Sequence, residues 1–129
     1  MKRDILLTEN FRLDEFVKFE DANTLTDSHY RNLIALANRL QILRDIYFHS
    51  GIKITSGFRG PQHNQKIGGA SGSLHLSGMA ADIQIIGVTP YTAYKRIDEI
   101  WRGGLGVYDY HVHIDIGDLR RWDKRTIRK

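Results

Sequence analysis

The stretch GGLGVYDYHVHIDIG, Gly103–Gly117, decides the fold. Two short β-prone runs, GLGV and HVHIDI, flank a tight polar connection, and that pattern predicts a hairpin. In the second run His111, His113 and Asp115 fall on one face of a strand, and Val112, Ile114 and Ile116 on the other. The apolar face can pack on a helix. The opposite face presents three polar groups in a row, which a sheet does not bury without a partner for them.

Working back along the chain, Met79–Ile86 also reads as a strand, with Ala80, Asp82 and Gln84 on one face and Ala81, Ile83 and Ile85 on the other. Thr89-Pro90 is a cap followed by a first-turn proline, so a helix is expected from there to about Trp101. Lys53–Phe58 reads as a short strand, and Pro61–Ile67 as one or two helical turns. The clearest helix is Asp27–Phe48, where Tyr30, Leu33, Ile34, Ala37, Leu40, Ile42, Leu43, Ile46 and Tyr47 recur at helical spacing. Thr26 or Asp27 can cap its start, and Gly51 follows its end. Phe11–Phe19 reads as a short amphipathic helix with Phe11, Leu13, Phe16 and Val17 facing a core. Helices, separated strands and a terminal hairpin predict an α+β domain: a small, mostly antiparallel β-sheet with helices packed on one face.

The 129 residues fit one domain, expected over 1–129 with a basic tail at about 119–129. There is no cysteine, so a metal site must use His, Asp or Glu. No segment has the length and apolarity of a membrane span. The net charge is +4 and the pI about 9.5, with much of the excess in LRRWDKRTIRK. Such a tail either holds an acidic polymer or is a solvated terminus. No nucleic-acid motif accompanies it, so no nucleic-acid partner is expected.

The second unusual stretch is SGSLHLSGMAADI, Ser71–Ile83, in which His75 and Asp82 stand among small residues. Zinc takes His nitrogen and carboxylate oxygen at about 2.0–2.2 Å, and catalytic sites leave one position open. His75, Asp82 and one histidine of the terminal strand would supply three ligands, and the small neighbours leave room for metal and substrate. His29, His49 and His63 read as bystanders.

SLHLSGMAAD, Ser73–Asp82, resembles the SxHxxGxAxD pattern of the zinc D-alanyl-D-alanine carboxypeptidases, with Ser73, His75, Gly78, Ala80 and Asp82 at every defined position. HVH, His111–His113, resembles the HxH of the wider group that holds lysostaphin-type peptidases and hedgehog domains. ITSGFRGPQHN, Ile54–Asn64, is similar to the SGYRSPxxN segment of the same carboxypeptidases, with Phe58 for Tyr and Gly60 for Ser. The resemblance implies a hedgehog/DD-peptidase-like fold and one zinc ion on His75, Asp82 and His113. It also implies hydrolysis of peptide bonds in peptidoglycan stem peptides, as a D-Ala-D-Ala carboxypeptidase or an endopeptidase. Arg59 is then expected near the scissile carbonyl or a substrate carboxylate. Ser73, Asp115 and Asn64 are expected to support the ligands or touch substrate.

Many carboxypeptidases of this group carry Glu three residues before the last ligand; here that position is Tyr110. His111 is therefore the expected proton acceptor, with Asp109 and Asp115 as rivals, Asp115 having the second possible role of orienting a histidine. Other expectations are a monomer without membrane insertion and no signal peptide. These fit a phage or prophage endolysin held in the cytoplasm until release to the wall, or export by an unseen route. The alternative is a catalytically inactive zinc-containing module that binds cell wall or protein.

Overall fold

The computed structural model describes residues 2–126. Its centre is a five-stranded sheet in the order β3–β4–β6–β5–β7, made by β3 (Ile52–Ser56), β4 (Ala80–Ile85), β5 (Gly104–Val107), β6 (Val112–Asp115) and β7 (Arg120–Asp123). Every pairing is antiparallel except β5 with β7. The expected α+β class is what forms. The terminal hairpin is β5–β6, closed by a bond from Tyr108 N–H to the His111 carbonyl.

One face of this sheet is dry. Ala81, Ile83 and Ile85 of β4 and Val112 and Ile114 of β6 join a buried cluster. Leu33, Leu36, Ala37 and Leu40 of helix α2 (Asp27–Ile42) and Ala93 and Ile97 of helix α4 (Pro90–Asp98) belong to the same cluster. Burying each of the larger of these side chains contributes roughly 1.5–3 kcal/mol, which makes this face the main source of stability. The polar face that remains carries the candidate chemistry.

The helix starts are set by side chains. Thr26 caps α2 by accepting from His29 N–H, and its own N–H donates to His29 Nδ1, so His29 fills the place usually taken by Glu in a capping box. Thr89 caps α4 in the same way, ahead of Pro90. The helix expected to run to Phe48 is α-helical only to Ile42; Leu43–Phe48 is a π-turn that ends at His49 in the left-handed region, φ 50°. The wider turn changes which residues face inward. Leu43 and Phe48 are buried, whereas Ile46 and Tyr47, which fit the helical spacing, face solvent, as does Ile42 at the end of α2.

Phe11–Phe19 does not form one helix. Phe11–Arg12 is strand β2, paired with β1 (Leu6–Thr8), and only α1 (Leu13–Phe16) is helical. Val17 leaves it in extended conformation to bridge Phe58, and Phe19 lies exposed in a 3₁₀ turn over Phe19–Thr24. Phe11, Leu13, Phe16 and Val17 are nonetheless buried as expected. Lys53–Phe58 appears as β3, which starts one residue earlier and ends two earlier, and Pro61–Ile67 as α3 (Pro61–Lys66), one residue shorter.

The largest departure is at the C-terminal end. Arg120–Asp123 is no solvated tail but the edge strand β7. Arg121 binds the carbonyls of Gly103 and Trp101 and the carboxylate of Asp98, which fastens the strand down. Arg128 and Lys129, also counted in the basic tail, lie outside the described residues. Among the described residues no helix is long and apolar enough to cross a membrane.

Candidate metal centre and cleft

Strand register assembles the site. Ser56 pairs with Asp82, Asp82 with His113, His113 with Gly106, and Gly106 with Trp122. These five residues form one row across the sheet, all on the polar face. His75 is added from outside the row by a 3₁₀ turn, Leu74–Ser77, capped by Ser73, whose Oγ accepts from His75 N–H. Arg59 follows β3 and Gly57-Phe58, and its N–H is bound to the His75 carbonyl.

Asp82 Oδ1 is the focus. It lies 3.3 Å from His75 Nε2, 3.3 Å from His113 Nδ1 and 3.8 Å from His111 Nε2. The other oxygen, Oδ2, lies 3.3 Å from Arg59 Nη2. One ligating atom each from His75, Asp82 and His113 fits within 4.8 Å of the others. His75 and Asp82 are buried, and His113 nearly so.

Two of the imidazoles are oriented through their second nitrogens. His75 Nδ1 is 2.7 Å from the Gly57 carbonyl. A carbonyl can only accept, so that nitrogen carries the proton and Nε2 is left with a lone pair toward Asp82. His113 Nε2 is 2.8 Å from Asp115 Oδ2, which turns Nδ1 toward Asp82. Such outer partners are a common need of metal-binding histidine. Asp115 is fully buried, and it also accepts from Arg120 Nη2 at 2.7 Å and from the Gly104 and Gly117 N–H groups at 3.0 Å each. A Cβ on Gly104 would stand 2.3 Å from the carboxylate, so only glycine lets it sit there.

The charges follow from these contacts. Burial pushes the Asp82 carboxyl up, but the His113 and His75 imidazoles beside it outweigh that and hold the group well below the usual carboxylate range. Burial acts likewise on Asp115, and His113 and Arg120 bring it down to about 2. For His113, burial lowers the value, while Asp115 and Asp82 raise it further, so the net shift is upward. His111 shifts the other way: burial dominates, with His113, His75 and Arg59 adding to it against the pull of Asp82.

Above these groups lies a cleft of about 430 Å³ lined by Arg59, Ser73, Tyr108, His111, Trp122 and the donor residues. His111, about a third exposed, stands at its mouth. The Arg59 guanidinium binds Ser56 Oγ, Asn64 Oδ1 and Asp82 Oδ2. Asn64 is buried behind Arg59 and donates to the Ala70 carbonyl. Asp109 lies away from this cleft and accepts from the N–H and hydroxyl of Thr126. Tyr108 and Trp122 are the aromatic side chains that line the cleft. Tyr110 is exposed elsewhere, and Trp101 is buried below, its Nε1 donating to the Asp115 carbonyl. The sequence does not point to Trp122 and Arg120, because their strand has the pattern of a charge run.

His63 has a definite partner. Its Nδ1 lies 2.8 Å from Oδ2 of buried Asp21, whose Oδ1 accepts from Gly60 N–H. With Glu20 these residues make a second group of metal-ligand type. Both Asp21 oxygens are already engaged, so the group serves as a tie that pins the Arg59-Gly60 turn. His49 ends the π-turn.

The sheet thus carries a donor set of metal-ligand type on its open face, with a cleft above it. The family model of peptidase M15 matches residues 9–115, and the chain belongs to that family. The chain is 31% identical over 97 residues to the zinc D-Ala-D-Ala carboxypeptidase of Streptomyces albus G, covering 70% of this chain and 38% of that protein. It is 31% identical over 78 residues to the probable peptidoglycan L,D-endopeptidase MepK of Haemophilus influenzae, covering 55% of this chain and 42% of that one. The chain thus spans about two fifths of the length of these curated relatives.

Proposed function

We propose that this chain hydrolyses peptide bonds in the stem peptides of bacterial peptidoglycan, with His75, Asp82 and His113 holding one zinc ion. The observation that carries the reading is Asp82 Oδ1 lying between the imidazoles of His75 and His113, each turned by a partner on its far nitrogen. Two neutral-capable imidazoles and a carboxylate held in its charged form suit zinc, and the three leave the cleft side open. Zinc, when bound, supplies Lewis acidity toward a carbonyl and makes a water molecule readily deprotonated near neutral pH.

The remaining work falls to side chains. His111 Nε2, at the mouth of the cleft and with burial favouring its neutral form, accepts the proton of the attacking water. The same nitrogen then returns that proton to the leaving amine. Arg59 faces the cleft from the Asp82 side, and its guanidinium stabilises negative charge as it develops on the carbonyl oxygen. Ser56 and Asn64 hold that guanidinium in place, and Ser73 holds the turn that presents His75.

The test is mass spectrometry of stem-peptide fragments from purified peptidoglycan, using protein as isolated, protein stripped by chelator, and protein with zinc restored. Cleavage that disappears on stripping and returns with zinc is the expected result. Release of terminal D-Ala without loss of wall turbidity would mark a carboxypeptidase. Internal cuts with clearing would mark an endopeptidase, the activity an endolysin requires. Stoichiometric zinc with no cleavage of walls of several chemotypes would instead favour a binding module.

A further inference from the structure

We propose that Tyr108 and Trp122 are positioning residues for the imidazole of His111, an inference that rests on the peptidase reading above. His75 and His113 are each oriented by a hydrogen bond on the far nitrogen. His111 is not: among the described residues its ring makes no hydrogen bond, and Asp82 Oδ1 at 3.8 Å is too far to supply one. A proton acceptor without a fixed plane loses most of its advantage, because transfer depends on where its lone pair points.

What sets the plane is a stack. The Tyr108 and His111 rings lie 4.5 Å apart with 12° between their planes. Both residues flank the turn of the β5–β6 hairpin, so the connection itself brings the rings face to face. Tyr108 is held in turn by its hydroxyl, which accepts from Trp122 Nε1 at 2.9 Å. Trp122 sits opposite Gly106 in the parallel β5–β7 pairing, and a Cβ on Gly106 would stand 2.2 Å from the indole. The missing side chain is the space the indole fills. From there the indole packs 5.1 Å from the His113 ring and lies under the Arg120 guanidinium, which also binds Asp115. Edge strand β7 thus reaches both histidines of the HxH pair, one through Trp122 and Tyr108, the other through Arg120 and Asp115.

Two measurements on Tyr108→Leu and Tyr108→Phe test this. Tyr108 is only half-buried, so both variants should fold, as circular dichroism will verify. In metal-free protein the His111 ring protons should show the upfield NMR displacement of a stacked aromatic, kept in Y108F and lost in Y108L. On the stem peptide that wild type cleaves, Y108L should lose about tenfold in kcat with KM and zinc content unchanged, and Y108F, which keeps the ring but loses the Trp122 bond, should fall between Y108L and wild type. Unchanged His111 resonances in Y108L would overturn the proposal. So would a raised KM at unaltered kcat, since Tyr108 would then be a wall for substrate. If wild type cleaves no peptide, the peptidase reading fails and takes the catalytic purpose with it, while the resonances still decide whether Tyr108 sets the ring.

Discussion

Replacing Asp115 by asparagine keeps the shape of a fully buried side chain and removes its charge. Four donors converge on that carboxylate: His113 Nε2 and Arg120 Nη2 on one oxygen, and the Gly104 and Gly117 N–H groups on the other. An amide has one accepting oxygen, and its NH₂ must face one of the two pairs. At least two donors therefore lose their acceptor, and each such loss costs about 1–3 kcal/mol when the group is buried. Asp115→Asn is expected to destabilise the protein by about 3–5 kcal/mol at pH 7, the scale of breaking a buried charge pair.

The pH dependence offers an independent check. The Asp115 carboxyl sits at about 2 in the folded chain. Against an ordinary value near 3.9, that depression stabilises the fold by roughly 2–3 kcal/mol. Because the folded value is the lower one, the contribution is complete above the ordinary value and is lost as pH falls through about 2. Wild type loses it on acidification, and D115N has none to lose. Urea unfolding followed by tryptophan fluorescence reads both, since Trp101 is bonded to the Asp115 carbonyl. The gap between the two proteins should narrow by roughly 1 kcal/mol between pH 7 and pH 3. A variant within about 0.5 kcal/mol of wild type, or a gap that does not move with pH, would refute the reasoning.

Four further substitutions have definite outcomes. His113→Ala should lose zinc and activity together, whereas His111→Ala should keep stoichiometric zinc by elemental analysis and lose about 10²–10⁴-fold in kcat. Gly106→Ala places a methyl 2.2 Å from the Trp122 ring. It should cost about 1–3 kcal/mol in a thermal melt and red-shift the tryptophan emission as the indole is displaced. Asp21→Ala, which frees Gly60 N–H and His63, should cost about 1–3 kcal/mol. It should also lower kcat by loosening the Arg59 turn, and full activity with unchanged stability would show that the tie is idle.

Much of this was legible because strand alternation is local. Once Val112–Asp115 and Ala80–Ile85 are read as strands, the period of two puts Asp82, His113 and Asp115 on the polar face and Ile83, Val112 and Ile114 on the other, as found. The long helix failed where local rules fail. Ile46 and Tyr47 fit a period of 3.6, but a π-turn at Leu43–Phe48 changes the count and turns them outward. Phe11–Phe19 failed because Phe11–Arg12 found a strand partner in Leu6–Thr8, a competition that an amphipathic pattern does not record.

The part of the site that stayed hidden is the part made by register between distant strands. Ser56, Asp82, His113, Gly106 and Trp122 are scattered over 67 residues of chain, and nothing in the order of their letters puts them in one row. The row exists because β7 returns parallel to β5 and takes the sheet edge, and the arginines that hold it there are the same ones that made the segment look like a solvated tail. Arg120 spends its charge on Asp115 and Arg121 on backbone carbonyls and Asp98, so the charges of these two arginines are structural. A run of like charges is read as solvent-facing because burying them costs so much. It becomes a strand when each charge has a fixed acceptor, and here those acceptors lie on Gly103, Asp98 and the carboxylate beneath His113.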